Sequence, residues 1–372
     1  MGYTVFVHSH KFRRINGKIY SPGGLPNDVL TRYTNWYGKI KVIARIIDEK
    51  NVDKKFSEIN NKNVEIINYL TTKQNDLNEI IKNAERIILR VPCNISNRVF
   101  KIAKNNNKVI ISEVVGCAFD SLWNYSIIGK LIAPIAYIKT KQVVKGSDGV
   151  IYVTEKFLQK RYPTNKRNSF CSDVCIEPSN IVLEKRINKI SSKKNNMIVI
   201  GTCGAIDVKY KGQKYVIKAI AKLRKKGYNN FFYEIAGGGK KDKLEALIKK
   251  YKLENNIRIL GSIPHNKIND FYDKIDVYIQ PSNTEGLCRA LVEAMSRGCP
   301  CIASDAGGNP ELINSRWIFR KKNSTDLMDK IEKLTSDDKI MIESSKTNFK
   351  KSNEFSENIL DSRRNNFYNF YK

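Results

Sequence analysis

Strand-like apolar runs alternate with helix-like ones along almost the whole chain, and the alternation runs through twice. That order selects parallel α/β architecture, because each strand, crossover helix and next strand forms one layer-building unit. In the first half the strand-like runs are 3–9 (YTVFVHS), 40–45 (IKVIAR), 86–91 (RIILRV), 108–112 (KVIIS) and 149–154 (GVIYVT). Helical patterns lie between them, including 27–36, 77–83 and 127–144. Around 184–196 the text becomes EKRINKISSKKNN, polar, charged and without period, which reads as a linker. The alternation then restarts, with strands predicted at 196–202, 231–237, 257–262, 276–280 and 301–304 and helices at 213–226, 241–251 and 265–274. The 372 residues suffice for two domains of ordinary size, and 41% hydrophobic content supports a core in each. The expected fold is two Rossmann-like domains facing a cleft, with ligands at the carboxyl ends of the strands.

The stretch TEGLCRALVEAMSRGCPCIASDAGGNPELI, Thr284 to Ile313, carries the most chemistry. Seven residues separate Glu285 from Glu293. Leu287, Ala290, Leu291, Ala294 and Met295 follow a helical period, predicting a helix that starts at Gly286 and stops at 298–300. Eight helical residues span roughly 12 Å, and eight steps leave the two carboxylates about 80° apart. The free N–H groups of the first turn favour a phosphate. A sugar–diphosphate–nucleoside matches that length: one Glu for sugar hydroxyls, the helix start for the diphosphate, the other Glu for the ribose.

This stretch and its flanks, DVYIQPSNTEG upstream and GCPCIASDAGGNPELI downstream, resemble the E-x7-E signature of family-4 (group 1) retaining glycosyltransferases of the GT-B superfamily. The resemblance is specific over roughly 197–313 and architectural over the first half. It implies a first, acceptor-side domain at 1–184, a linker at 185–196, a nucleotide-sugar-binding domain at 197–350, and a C-terminal helix at 351–372 that packs back on the first domain. It also implies a nucleotide-sugar donor, UDP- or GDP-linked, with no metal or other cofactor required. Glu285 would orient the donor sugar and Lys211 would hold the departing diphosphate as the catalytic pair. The helix start, Gly286, Leu287, Cys288 and Arg289, would meet the donor, and Glu293 the ribose.

Other segments align less fully. In GAIDVKYKG, Gly204 to Gly212, Lys211-Gly212 matches a Lys-Gly that the family places on the diphosphate. The arginine that usually precedes it falls on Ala205, so Lys209 or Arg289 would have to replace that charge. Gly238 lies in a glycine-rich turn, AGGGKK, where the backbone can approach a donor, although a tight strand-to-helix turn explains it as well. Gly23 and Gly24 precede a helix, where many relatives bring a Gly-Gly loop to the donor phosphate or acceptor. Relatives also place a His near the reacting carbon from the first domain. No His occurs between His10 and His265, which leaves Glu113 and Asp120 as acceptor-side candidates.

The net charge of +29 fits either compositional bias or attraction to an anionic surface, whether membrane lipid, lipid-linked phosphate or nucleic acid. The 127–145 segment is apolar with Lys130, Lys139, Lys141 and Lys145, readable as a basic helix lying on an anionic membrane or as a buried helix with a lysine edge. No run reaches the length of a membrane span, and the first residues reverse the order of a signal peptide. The eight cysteines are scattered and read as reduced, mostly buried thiols of a cytoplasmic protein, peripheral on the inner membrane face if the charge docks it there. The expected function is sugar transfer to a lipid-linked saccharide in envelope polysaccharide or glycolipid synthesis. The rivals are a GT-B sugar-nucleotide epimerase and a basic nucleic-acid-binding protein. The latter is disfavoured because no RNA-binding signature or Cys/His finger is present.

Overall fold

The computed structural model describes residues 2–53, 56–192 and 197–372. The first sheet contains β1 (Thr4–Ile15), β2 (Lys18–Ser21), β3 (Ile40–Asp48), β4 (Ser57–Glu58), β5 (Val64–Asn68), β6 (Arg86–Val91), β7 (Val109–Val114), β8 (Gly149–Tyr152) and β9 (Arg167–Phe170). Its parallel core runs β5-β3-β1-β6-β7-β8-β9, and β2 and β4 extend it antiparallel beside the far end of β1. The second sheet contains β10 (Ile198–Cys203), β11 (Phe231–Ala236), β12 (Ile257–Gly261), β13 (Val277–Gln280), β14 (Cys301–Ser304) and β15 (Ile318–Phe319). It is wholly parallel, in the order β12-β11-β10-β13-β14-β15. In both sheets the chain winds outward from a central strand, then returns to that strand's other side. The switch points are β1/β6 and β10/β13, where open α/β sheets bind ligands.

The helices of the first half are α1 (Asn27–Tyr37), α2 (Gln74–Lys82), α3 (Asn94–Asn105), α4 (Ala118–Trp123), α5 (Ile127–Gly146) and α6 (Phe157–Arg161). Those of the second are α7 (Asn180–Ser191), α8 (Gln213–Lys225), α9 (Asp242–Lys250), α10 (Ile268–Lys274), α11 (Arg289–Ser296), α12 (Ser324–Leu334), α13 (Asp338–Ser352) and α14 (Glu357–Tyr368). The central strands are legible as unbroken apolar runs because helices cover both their faces. Val277, Tyr278 and Ile279 of β13 are completely buried, as are Val5, Phe6 and Val7 of β1. On α8 the residues Val216, Ile217, Ile220 and Leu223 are buried at helical spacing, which fixes the face turned to the sheet.

Several contacts among the described residues tie the halves together. The Glu311 carboxylate accepts the backbone N–H groups of Glu155, Lys156 and Phe157 at 2.8, 3.1 and 2.5 Å, so an acid from the second half serves the free donors at the start of α6. The C-terminal segment lies against the first half. Trp36 donates its indole N–H to Asn365 at 2.7 Å, Tyr37 donates to the Tyr368 carbonyl at 2.9 Å, and Tyr371 donates to the Asp148 carbonyl at 2.9 Å.

The segment expected as an aperiodic linker, 185–196, is helical up to Ser191, and 193–196 lie outside the described residues. Its helical face is Leu183, Arg186, Ile187 and Ile190, with a charged residue in an apolar slot. Arg186 is 3% exposed and donates to the carbonyls of Ile275 (2.5 Å), Tyr272 (2.6 Å) and Arg297 (3.3 Å). These bonds make burial of the guanidinium tolerable, and they hold α7 on the second half. The short strands β2, β4, β5 and β9 have no counterpart in the sequence reading. None of them is a run of fully buried residues, so each lacks the apolar signal of the central strands.

Candidate active site

The two sequence motifs meet at the second sheet's switch point. The loop after β10 carries Lys211 and the loop after β13 carries Glu285. Lys211 Nζ stands 2.7 Å from Glu285 Oε1. The same oxygen accepts from Ser282 Oγ at 2.7 Å and from Gln280 Nε2 at 3.2 Å. Burial pushes the Lys211 ammonium toward its neutral form, but the Glu285 carboxylate outweighs that and the pKa ends up raised. Lys211 is therefore a fixed cation throughout the physiological range. Gly212 makes the turn behind it, with φ +78°, and a Cβ there would stand 1.9 Å from the Pro281 carbonyl oxygen.

Gly286 is one of the points where the halves touch. A Cβ on it would lie 2.3 Å from the Val115 carbonyl oxygen. Beside this contact a cavity of about 450 Å³ is walled on one side by Val115, Gly116, Ser121, Leu122 and Tyr125 and on the other by Tyr210, Lys211, Thr284, Glu285 and Gly286. It is a cleft between the two sheets, with the Lys211–Glu285 pair on one wall.

The helix after Glu285 begins at Arg289, three residues later than its apolar period predicts. The Gly286 carbonyl accepts from Gly308 N at 2.8 Å instead of from an intrahelical donor, so the 307–308 turn holds 285–288 out of the helix. Glu285 thus stands on a loop, and the estimated 12 Å helical separation from Glu293 does not apply. Glu293 is on α11 and accepts from Tyr272 Oη at 2.8 Å. Leu287 packs partly buried between the two core clusters, and Cys288 is buried, which pushes its thiol well up. Arg289 and Lys209 are exposed, and neither lines the cavity.

The remaining candidates lie apart from this cavity. Gly238 packs its turn on the loop after β10, its carbonyl accepting from Ile206 N at 3.0 Å. Gly23 and Gly24 form an exposed turn. Asp120 is in the first turn of α4, 3.5 Å from Arg161. Glu113 is 5% exposed and engaged on all sides: Arg90 Nη1 at 3.0 Å, Tyr33 Oη at 2.6 Å, and the Tyr368 hydroxyl. It borders a void of about 30 Å³ beneath the C-terminal helix, not the cavity at Glu285. Among the described residues no group of three or more His, Cys, Asp or Glu is arranged to hold a metal ion.

Residues that the motif reading passed over complete the polar surroundings. Gln280 ends β13 and Ser282 stands two residues on, in the loop that leads to Glu285, an alternation that was available in the sequence. Tyr272 comes from another helix and had none. At the first sheet's switch point, β1 parts from β6 after the pair Val7–Leu89, and His8 stands there. Its Nδ1 accepts from His10 N at 2.8 Å, so the neutral ring carries its proton on Nε2. Burial, then the Arg90 charge, pushes the His8 pKa down to about 3. The unfolded chain takes up this proton near pH 6.5 and the folded chain does not. The His8 contribution to stability is therefore present above pH 6.5 and is lost as pH falls toward 3. Unfolding free energy should drop by about 2 kcal/mol between pH 7 and 5 from His8 alone. Denaturant titrations at both pH values should show a shallower drop in His8→Gln. Parallel profiles would contradict the half-buried neutral imidazole.

Comparisons with known proteins bear on the family and the fold. A family model described as "Glycosyl transferases group 1" matches residues 183–358. Protein CapJ of Staphylococcus aureus is 35% identical over 338 residues, 86% of this chain and 83% of the relative. The putative colanic acid biosynthesis glycosyltransferase WcaL of Salmonella typhimurium is 31% identical over 144 residues, 36% of this chain and 35% of the relative. Among solved structures, Anabaena Alr3699/HepE in complex with UDP superimposes with a TM-score of 0.69 at 15% identity, covering 98% of this chain and 99% of that one.

Proposed function

Because this chain belongs to the group 1 glycosyl transferases and has their GT-B fold, we propose that it transfers a sugar from a nucleotide-diphosphate donor to a lipid-linked saccharide, with retention of configuration, in polysaccharide biosynthesis. The observation that carries this reading is the Lys211–Glu285 pair at a switch point, on the wall of a 450 Å³ cleft. In this reading the acceptor side ends before α7, the donor side spans 197–350, and the 351–372 tail ties the two together.

The donor diphosphate takes Lys211 as its cation, and that contact strengthens as charge grows on the leaving group. Glu285, held by Ser282 and Gln280, is then released from Lys211 to orient the sugar hydroxyls. The acceptor hydroxyl enters from the Val115–Tyr125 wall and attacks on the face that the diphosphate leaves, which itself takes the proton. Ala205 stands where relatives carry a second cation, so Lys211 bears more of the diphosphate charge, with Lys209 or Arg289 as the substitute. Similarity to a UDP-bound structure favours a UDP-sugar over a GDP-sugar.

Glu293, already a hydrogen-bond acceptor for Tyr272, takes the ribose hydroxyls. The test is a thermal-shift panel of UDP, GDP and ADP with their sugars. Saturation at one hundred times the dissociation constant adds about 2.7 kcal/mol of stability. One base should stand out, and Glu293→Gln should weaken that nucleotide about tenfold, the loss of one charge-assisted bond. Unchanged affinity in that variant would remove the ribose role, and no shift with any nucleotide would remove the donor reading.

A further inference from the structure

Helix α5 leaves most of the large apolar residues of its N-terminal half unburied. Ile127, Ile128, Leu131, Ile132, Ile135 and Ile138 are 81, 71, 75, 45, 55 and 54% exposed. At about 100° per residue these six fall within an arc of about 140°. The opposite face, with Gly129, Ala133, Thr140, Val143 and Val144, is the one packed into the protein. A Ser126 N-cap, its Oγ accepting from Gly129 N at 2.9 Å, fixes where the helix begins and so which face turns outward. A contiguous apolar stripe of this size on a protein surface marks an interaction site.

The charges around the stripe say what covers it. No Asp or Glu occurs between Asp120 and Asp148, whereas Lys130, Lys139, Lys141 and Lys145 are all exposed. An apolar stripe edged only by cations fits an anionic bilayer surface, with the isoleucines below the headgroups and the ammonium groups among the phosphates. No helix among the described residues is long and apolar enough to cross a membrane, so α5 would lie in the plane of the interface. Trp123 and Tyr125, 43 and 73% exposed, stand at its N-terminal end as interfacial aromatics do. Tyr125 also lines the cavity of Lys211 and Glu285, so the stripe and the cavity mouth are continuous.

We propose that the exposed face of α5 docks on an anionic bilayer and turns the mouth of the Lys211–Glu285 cavity toward it, so that a lipid-linked acceptor enters from the membrane plane. The docking itself stands on the exposed face and its charges; only the identity of what enters rests on the glycosyltransfer reading.

The experiment uses the full chain with vesicles of phosphatidylcholine, with and without phosphatidylglycerol, at low and high salt. Wild type should co-sediment with the anionic vesicles at low salt, and Trp123 should shift its emission to the blue. The triple variant Ile128→Ser, Leu131→Ser, Ile135→Ser should lose at least about tenfold in vesicle affinity while keeping its melting temperature and its nucleotide response. Lys139, Lys141 and Lys145 changed together to Gln should flatten the salt dependence. Glu285→Gln should bind vesicles like wild type and yet not transfer, which separates a failure of docking from a failure of the enzymatic reading. A wild type that ignores anionic vesicles, a triple variant that binds them normally, or a solution dimer that the serines dissolve would each overturn the proposal, the last by assigning the stripe to a second copy of the chain.

Discussion

Glu285→Gln should lose sugar transfer by about 10²- to 10³-fold while nucleotide affinity stays nearly unchanged. The side chain is isosteric and still accepts from Lys211, Ser282 and Gln280 through its oxygen, so the loop keeps its shape. What disappears is the negative charge and one acceptor face toward the sugar hydroxyls. Those contacts matter when the ring gains positive character in the transition state, so kcat falls and KM moves little. Steady-state kinetics beside nucleotide binding separate the two. Near-normal turnover would mean that Glu285 serves only to anchor Lys211.

Lys211→Ala should be as damaging, by a different route. It leaves the half-buried Glu285 carboxylate without its cation and deprives the diphosphate of its charge partner. The second effect is worth about 1.5–3 kcal/mol in binding, roughly ten- to a hundredfold, and more in transfer because leaving-group charge grows. Both kcat and nucleotide affinity should fall, unlike in Glu285→Gln. Lys211→Arg should recover nucleotide affinity better than transfer, since a guanidinium keeps the charge but not the point geometry. A mild Lys211→Ala beside a crippled Arg289→Ala would move the diphosphate cation to Arg289.

Much of this architecture was readable in the sequence because the central strands are buried on both faces. Runs such as 86–91 and 276–280 announce themselves whatever surrounds them. The E-x7-E stretch likewise pointed to a loop that stands on the wall of the cavity between the halves. What it did not reveal was the path of the backbone after Glu285: the apolar period continues through Leu287, but the Gly286 carbonyl is committed to Gly308, over twenty residues away. Arg186 hid α7 for a related reason, since only tertiary carbonyls make a buried guanidinium acceptable in an apolar slot. Glu113 was a candidate because relatives place a His near that point and this chain has none there, yet three partners from α1, β6 and α14 enclose it. The lysine-edged helix at 127–145 was open to two readings, and the exposure of its isoleucines is incompatible with the buried one.

The most direct test of the account is slow hydrolysis of the donor without acceptor, followed by proton NMR on the sugar that the nucleotide panel selects. Breaking the sugar–phosphate bond at the Lys211–Glu285 wall with retention predicts that the first free sugar carries the donor's own anomeric configuration, appearing ahead of mutarotation and vanishing in Glu285→Gln. A first product of inverted configuration, or release that continues unchanged in Glu285→Gln, would contradict it.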